Sequence, residues 1–151
     1  MMTKEKILIL CTANSCRSQM AEGFLRFYGG DQYEVYSAGT MSCYVNEIAI
    51  EVMKEVGVDI SKHWSKTISQ LPVMNFDYVI TVCSSADASC PIFPGNAKKL
   101  HWPFPDPPHD QGRSEKILNG FRSVRDAIHL QFKKAAEKGI LSAHEDLMHN
   151  A

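Results

Sequence analysis

Apolar residues occur along the chain in two patterns, and each pattern predicts its own type of element. Short runs of apolar and β-branched residues, such as residues 7–10, are typical of buried strands. Stretches in which apolar residues return every three or four positions, such as residues 45–56, are typical of amphipathic helices. Strands are predicted at residues 7–10, 33–37, 76–82 and 98–101, and helices at residues 18–28, 45–56 and 114–138. We expect an irregular segment over residues 59–69, with a short helix before or overlapping Pro72, and a polar tail that frays after Gly139.

The order of these elements predicts the fold class. Strands that alternate with helices favour a three-layer α/β fold, with a central four-stranded parallel sheet and helices on both faces. A chain of 151 residues without internal repeats fits one domain over residues 1–151. Parallel sheets place their sites at the carboxyl ends of the strands. Cys11 ends the first strand, Cys83 ends the third, and Asp106 lies in the loop after the fourth, so we expect all three at one edge of the sheet.

The segment between the first strand and the first helix carries the strongest chemical signal. Cys11 ends the strand, five residues separate it from Arg17, and Ser18 follows at the start of the helix. The backbone N–H groups of such a loop bind a tetrahedral anion, and the arginine adds a planar, permanently charged fork. The same field favours the thiolate of Cys11. The alternative is a structural cysteine beside a solvated arginine. The predicted anion-binding residues are Thr12, Ala13, Asn14, Ser15, Cys16, Arg17 and Ser18.

Composition and charge exclude several classes of protein. The net charge of −1 provides no basic field for nucleic acid or acidic membranes. The N-terminal apolar run is too short for a signal peptide, and no later stretch could span a bilayer, so we expect a cytoplasmic protein whose thiols are kept reduced. Five cysteines in such a protein are more often catalytic or redox-active than structural.

Three of the cysteines suggest a two-electron reduction. A phosphatase would need a nucleophile, an oxyanion ligand and a general acid, but no further thiol. We predict that Cys11 attacks a bound oxyanion, that Cys83 attacks the sulfur of Cys11 and expels the reduced product, and that Cys90 then takes over the disulfide. Phosphate cannot be reduced in this way, whereas arsenate has nearly the same shape and charge and accepts two electrons from thiols. In this scheme Arg17 binds the oxyanion and Asp106 is the general acid.

The spacing of Cys83 and Cys90 constrains this relay. A continuous helix would hold their Cα atoms about 10 Å apart, whereas a disulfide needs less than about 7 Å. Four of the six residues between them are serine or aspartate, and both compete with helix formation through local hydrogen bonds. We therefore predict that this segment changes conformation between the reduced and the oxidised protein.

The cysteines and histidines also allow other interpretations. The cysteine spacings lack the close pair typical of a zinc site, and no histidine lies nearby in a ligand motif, so we predict no metal and no cofactor. Cys83 could be a small buried hydrophobe. Cys16 could pack, tune Cys11 or oxidise with it, and Cys43 is expected to be incidental. The six histidines are scattered, and we interpret all of them as surface or core residues.

The sequence resembles the thioredoxin-coupled arsenate reductases built on the low-molecular-weight protein tyrosine phosphatase fold. The matching segments cover most of the chain, at residues 11–23, 37–40, 45–61, 76–83, 89–94, 101–102 and 104–107. Asn14 and Ser18 match positions that shape the loop and stabilise the thiolate. The resemblance implies that Cys11 is the nucleophile, that Arg17 binds the oxyanion and that Asp106 is the acid. It also implies that Cys83 and Cys90 form the relay.

Some residues depart from the pattern of that family. Ala13 stands where glycine is common, so the loop must accommodate a Cβ atom. The phosphatase branch carries aromatic residues just after its Asp-Pro pair, whereas this chain has Pro108 and His109. This difference disfavours recognition of a phosphotyrosine ring.

A potassium ion binds beside the loop in some members of the family. Asn14, Glu22 and Ser37 fit that site, but Trp64 and Lys66 stand where those members carry threonine and aspartate. Because a lysine there disfavours a cation, we predict no potassium ion.

Together these observations predict a monomeric cytoplasmic arsenate reductase that converts arsenate to arsenite through Cys11, Cys83 and Cys90. Thioredoxin is the expected electron donor, because the chain carries both resolving thiols itself, and glutaredoxin with glutathione is the alternative. Two other functions stay open. One is a low-molecular-weight protein tyrosine phosphatase in which Cys83 and Cys90 play no part, and the other is a non-catalytic redox sensor that binds anions.

Overall fold

The computed structural model describes residues 3–91, 93–109 and 111–149, and a parallel sheet lies at its centre. The four strands in this part of the chain lie in the order β2-β1-β3-β4, and every neighbouring pair is parallel. This confirms the predicted four-stranded parallel sheet. The strands are β1 (Glu5–Cys11), β2 (Tyr33–Gly39), β3 (Tyr78–Thr81) and β4 (Lys98–His101).

The central strand β1 shows that both faces of the sheet are covered. Successive side chains of a strand point to opposite faces, and the four residues from Ile7 to Leu10 are all 0% exposed. Such a strand needs packing on each face, as the predicted three-layer arrangement provides. The helices are α1 (Arg17–Gly29), α2 (Glu47–Glu55), α3 (Ser84–Ala88), α4 (Glu115–Lys138) and α5 (Ile140–His149), and a short 3-10 helix covers Ile68–Gln70.

The predicted helix over residues 45–56 begins later in the structure because Asn46 caps it. The Asn46 side chain accepts hydrogen bonds from the backbone N–H groups of Ile48 and Ala49, which satisfies two donors that a helix start leaves unpaired.

The prediction of a frayed tail after Gly139 is wrong, because this segment forms α5. Gly139 has a φ of 95° and ends α4. Ile140 and Ala143 are buried, and the indole N–H of fully buried Trp102 donates to Nδ1 of His144 at 2.9 Å. Tertiary contacts therefore order the tail. No helix in the described ranges is long and apolar enough to cross a membrane.

A charged cluster joins α2 to α4. Nη2 of Arg122 lies 2.7 Å from one carboxylate oxygen of Glu55, and Nη1 of Arg125 lies 2.7 Å from the other. The hydrogen bonds from Arg122, and then from Arg125, outweigh the effect of burial and lower the pKa of Glu55 from 4.5 to about 2. The carboxylate therefore stabilises the folded state at neutral pH.

Glu55→Gln is expected to lower the free energy of unfolding by about 1 kcal/mol at pH 7. The effect is modest because the Glu55 side chain is 34% exposed and solvent screens the ion pairs. Since the folded-state pKa lies below the unfolded value, this contribution is present above pH 4.5 and is lost as the pH falls toward 2. Urea unfolding at neutral and acid pH measures it. A loss no larger than that of Glu137→Gln, an exposed site on α4, would contradict the prediction.

Candidate active site

The carboxyl end of β1 opens into a cavity of about 410 Å³. Its wall combines the anion loop, which we define as residues 11–18, with the loops that follow β2 and β4 and with Ser85 of α3. Elements distant in sequence thus meet at one edge of the sheet, where a parallel fold places its sites. The predicted residues on the wall are Cys11, Thr12, Ala13, Ser15, Cys16, Arg17 and Asp106.

The anion loop presents unpaired backbone amides next to the start of α1. In the described part of the chain, no acceptor takes the backbone N–H groups of residues 13–16, and no side chain caps the N-terminus of α1. Amides in this arrangement bind a tetrahedral anion. Asn14 has a φ of 51°, the one positive value among the described non-glycine residues. Ala13 therefore needs no glycine-like conformation, and its Cβ is accommodated.

Gly39 lets the end of β2 approach the anion loop. A Cβ atom at Gly39 would lie 2.5 Å from the carbonyl oxygen of Thr12 and 2.9 Å from the backbone nitrogen of Asn14. Real Cβ atoms do not approach backbone atoms so closely, so the position requires glycine.

Cys11 is only 3% exposed, and its sulfur lies 2.9 Å from the hydroxyl of Ser18. The amide group of Asn14 donates one hydrogen to Ser18, at 2.7 Å, and one to Ser37, at 3.0 Å. Because Ser18 accepts from Asn14, its own hydrogen is free to point at the sulfur. Asn14 and Ser18 are fully buried. They lie behind the cavity wall, where Ser18 contacts the Cys11 sulfur and Asn14 contacts Ser18.

Arg17 is fixed at the cavity wall by two acceptors. Its Nη1 donates to the carbonyl oxygen of Phe104 at 3.1 Å, and its Nη2 lies 3.4 Å from Oδ1 of Asp106. The Arg17 side chain is 16% exposed, whereas that of Asp106 is 50% exposed. The guanidinium is thus held in place beside the loop amides. The carboxyl group sits at the mouth of the cavity, where a general acid could reach a leaving oxygen.

His109 lies on the same wall, and the interpretation of every histidine as a surface or core residue missed it. Its Nε2 is 2.8 Å from Oδ2 of Asp106. The Pro-rich loop aims this side chain, because Pro108 packs against α4: a Cβ at Gly120 would lie 2.7 Å from Cγ of Pro108. The signal in the sequence that could have identified His109 is its position three residues after Asp106, in a loop whose backbone is restricted by proline.

The two relay thiols lie at opposite ends of α3. The sequence predicts that Cys83 ends the third strand, but β3 ends at Thr81 and Cys83 is the N-cap of α3. It is buried, with its sulfur 3.4 Å from the Thr12 hydroxyl, but it does not line the cavity. Cys90 is half-buried, and its thiol donates to the Pro91 carbonyl at 3.5 Å. Burial, and then the charge of Asp87, raises the pKa of Cys90 against the opposing effect of Lys99. All five cysteines lie in the described part of the chain and are free.

The remaining cysteines both line the cavity. Burial raises the pKa of Cys16 to about 12, so its thiol stays protonated at neutral pH and is a weak nucleophile. Cys43 is exposed in the loop after β2.

A buried ion pair lies behind the anion loop. Nζ of Lys66 is 3.9 Å from Oε1 of Glu22, and the hydroxyl of Ser37 donates to the same oxygen at 2.5 Å. Burial lowers the pKa of Lys66, while Glu22 opposes this shift. Glu22, one of the three residues that fit a potassium site, therefore lies beside an ammonium group of the protein. The lack of a potassium ion stays a prediction, and the ammonium group of Lys66 supports it.

Within the described ranges no group of three or more His, Cys, Asp or Glu side chains could hold a metal ion.

Comparisons with known proteins agree with this geometry. A family model described as low molecular weight phosphotyrosine protein phosphatase matches residues 6–140. The chain is 46% identical over 138 residues to the arsenate reductase of Halalkalibacterium halodurans, covering 91% of this chain and 99% of that protein. The solved structure of an arsenate reductase in the phosphate binding state is similar with a TM-score of 0.71 at 33% identity, covering 89% of this chain and 98% of that one. The thioredoxin-dependent arsenate reductase of Corynebacterium glutamicum gives a TM-score of 0.68 at 26% identity, over 92% of this chain and 63% of that one. These similarities confirm the resemblance drawn from the sequence.

Proposed function

The chain belongs to the low molecular weight phosphotyrosine protein phosphatase family, and we propose that it acts within this family as an arsenate reductase. The observation that carries this function is the buried sulfur of Cys83, 3.4 Å from Thr12 of the anion loop. Hydrolysis of a phosphate ester needs no second thiol beside the nucleophile, whereas a reduction by thiols does. Curated relatives that match nearly the whole chain are arsenate reductases.

The first step joins arsenic to the nucleophile. Arsenate binds to the amides of the anion loop and to the guanidinium of Arg17. The thiolate of Cys11 attacks arsenic, a sulfur–arsenic bond forms, and an arsenic–oxygen bond breaks. Asp106 gives its proton to the leaving oxygen, which departs as water.

The next two steps move electrons and then the disulfide. The thiolate of Cys83 attacks the sulfur of Cys11, so a disulfide forms and the electron pair of the sulfur–arsenic bond passes to arsenic, which leaves as arsenite. The thiolate of Cys90 then attacks the sulfur of Cys83. This exchange forms the Cys83–Cys90 disulfide and returns Cys11 to its starting state. Two thiols have been oxidised, and arsenic has gained two electrons.

An external thiol donor must reduce the Cys83–Cys90 disulfide before the next cycle. We propose thioredoxin, because both resolving thiols belong to the chain and because the C. glutamicum relative is thioredoxin-dependent. The cycle needs reduced thiols at its start, which suits the cytoplasm. Every residue with a role in it comes from one chain, so a monomer suffices.

Arsenite production with two donor systems tests this function. Thioredoxin has a potential of about −270 mV, against about −200 to −230 mV for glutaredoxins, so it is the stronger reductant of a stable protein disulfide. We expect repeated turnover with thioredoxin, and less than about a tenth of that rate with glutaredoxin plus glutathione. Hydrolysis of an aryl phosphate without arsenite from either donor would instead support the phosphatase alternative.

A further inference from the structure

The segment that carries the relay is held against the sheet through one acidic side chain. Oδ1 of Asp87, in α3, accepts a hydrogen bond from Thr81 at 3.1 Å and lies 3.4 Å from Nζ of Lys99 and 3.8 Å from Nδ1 of His101. Lys99 also donates to the backbone carbonyl of Asp87 at 2.8 Å. We call this cluster of Asp87, Thr81, Lys99 and His101 the Asp87 latch.

The hydrogen bonds of the Asp87 latch form a continuous chain. The hydroxyl of Thr81 is fully buried and lies 2.8 Å from Nδ1 of His101. A hydroxyl has one hydrogen, so when Thr81 donates to Asp87 its oxygen can accept from His101 in the Nδ1–H form. The contacts therefore run from β4, through β3, to α3. Each donor in this series of hydrogen bonds then has an acceptor within the protein, as buried polar groups require.

The charges around Asp87 keep this cluster intact at neutral pH. Burial would raise the pKa of Asp87, but the hydrogen bond from Thr81 and the charges of His101 and Lys99 together lower it below its ordinary value of 3.8. Asp87 is thus a carboxylate under physiological conditions. Its contribution is lost only in acid, as the pH falls through the lowered pKa.

Oxidation of the relay must disturb these contacts. Asp87 lies between Cys83 and Cys90, whose Cα atoms an unbroken helix would hold about 10 Å apart. A disulfide needs less than about 7 Å, and α3 occupies five of the six residues between the two cysteines, so we expect α3 to open. A helix of five residues has little stability of its own. The contacts of Asp87 with the sheet therefore contribute to the barrier that opening must cross.

We propose that Asp87 is a positioning residue that holds the reduced relay segment on the sheet, and that release of the Asp87 latch limits how fast Cys90 reaches Cys83. This inference rests on the proposed function. Ser85 of the same helix lines the cavity, so the latched segment also contacts the site where the oxyanion binds. While the segment is latched, the Cys83 thiol lies beside Thr12.

Hydrogen exchange of the reduced protein, without arsenate, tests the latch directly. In Asp87→Ala we expect the amides of residues 84–90 to exchange roughly 3- to 10-fold faster than in the wild type. Alanine has a higher helix propensity than aspartate. The change in propensity alone would therefore stabilise α3 and slow its exchange, which is opposite to the effect expected from loss of the latch. The matched control is Asp146→Ala, which removes an equally exposed carboxylate that pairs with Lys134 and Lys138.

Oxidation by oxidised glutathione provides a second measurement. The Cys83–Cys90 disulfide forms as one molecule of oxidised glutathione is reduced to two of glutathione, and peptide mapping counts the disulfide. We expect it to form roughly 3- to 10-fold faster in Asp87→Ala. Unchanged or slower exchange and oxidation in Asp87→Ala, or an equal change in Asp146→Ala, would overturn the latch. Neither measurement uses arsenate. If the wild-type protein made no arsenite, the proposed function would be refuted, but these two measurements would still test the latch.

Discussion

Cys90→Ser is expected to release about one arsenite per chain and then stop. The first two steps need only Cys11 and Cys83, so one arsenate is reduced in full. The resulting Cys11–Cys83 disulfide then has no thiol to move it outward, and the nucleophile stays blocked. Arsenite measured against enzyme concentration in a rapid-mixing experiment gives the amplitude, and mass spectrometry of unreduced peptides identifies the trapped disulfide.

Cys83→Ser is expected to release no arsenite at all. Cys11 can still form its adduct with arsenic, but the nearby thiol of Cys16 stays protonated and is a weak nucleophile, so it does not replace Cys83. Protection of Cys11 from alkylation by arsenate serves as the control, because it reports a folded anion loop in both variants. Repeated turnover by either variant, without a burst, would contradict the relay.

The two alternative functions predict different results. A phosphatase would lose activity only on changes at Cys11, Arg17 or Asp106. A redox sensor would form disulfides with peroxide but would show no arsenate-dependent loss of thiols.

The sequence was sufficient to place Cys11 and Cys83 at the same edge of the sheet. Apolar runs located the strands, and the carboxyl ends of parallel strands share an edge whatever the strand order. Cys11 at the end of β1 and Cys83 after β3 therefore had to lie at this edge, and the pairing of β1 with β3 brings Cys83 beside Thr12. The turn from strand to helix after Cys11 is likewise local, so a short motif predicted the anion loop.

What the sequence could not provide depends on contacts between distant residues. Half of the ten residues of α5 are apolar, but its order depends on burial of Ile140 and on the bond from Trp102 to His144, neither of which is visible in the local sequence. His109 reaches Asp106 because Pro108 packs on α4 at Gly120, a contact that no local pattern shows. Both outcomes follow from tertiary packing that overrides weak local preference.

Glu22 and Lys66 form a buried pair behind the nucleophile, and its disruption should have a large effect on stability. Glu22 is 4% exposed and Lys66 is 8% exposed. Glu22 also contacts Arg26 at 3.3 Å, but the Arg26 side chain is 55% exposed. Through Ser37 and Asn14, the carboxylate of Glu22 is connected to Ser18 and so to the sulfur of Cys11, by the hydrogen bonds Ser37–Glu22, Asn14–Ser37, Asn14–Ser18 and Ser18–Cys11.

Lys66→Met is therefore expected to lower the free energy of unfolding by about 3 kcal/mol at pH 7. Methionine keeps most of the volume of lysine, so the loss comes from a buried carboxylate left with weaker partners, Arg26 and a His63 whose pKa burial lowers. The double variant Glu22→Gln with Lys66→Met should recover much of that loss, because no uncompensated charge then stays buried. Urea unfolding of the single and double variants measures both effects, with the exposed Lys62→Met as the control. A single variant as stable as this control, or a double variant whose loss equals the sum of the two single losses, would show that the pair does not act as a coupled unit.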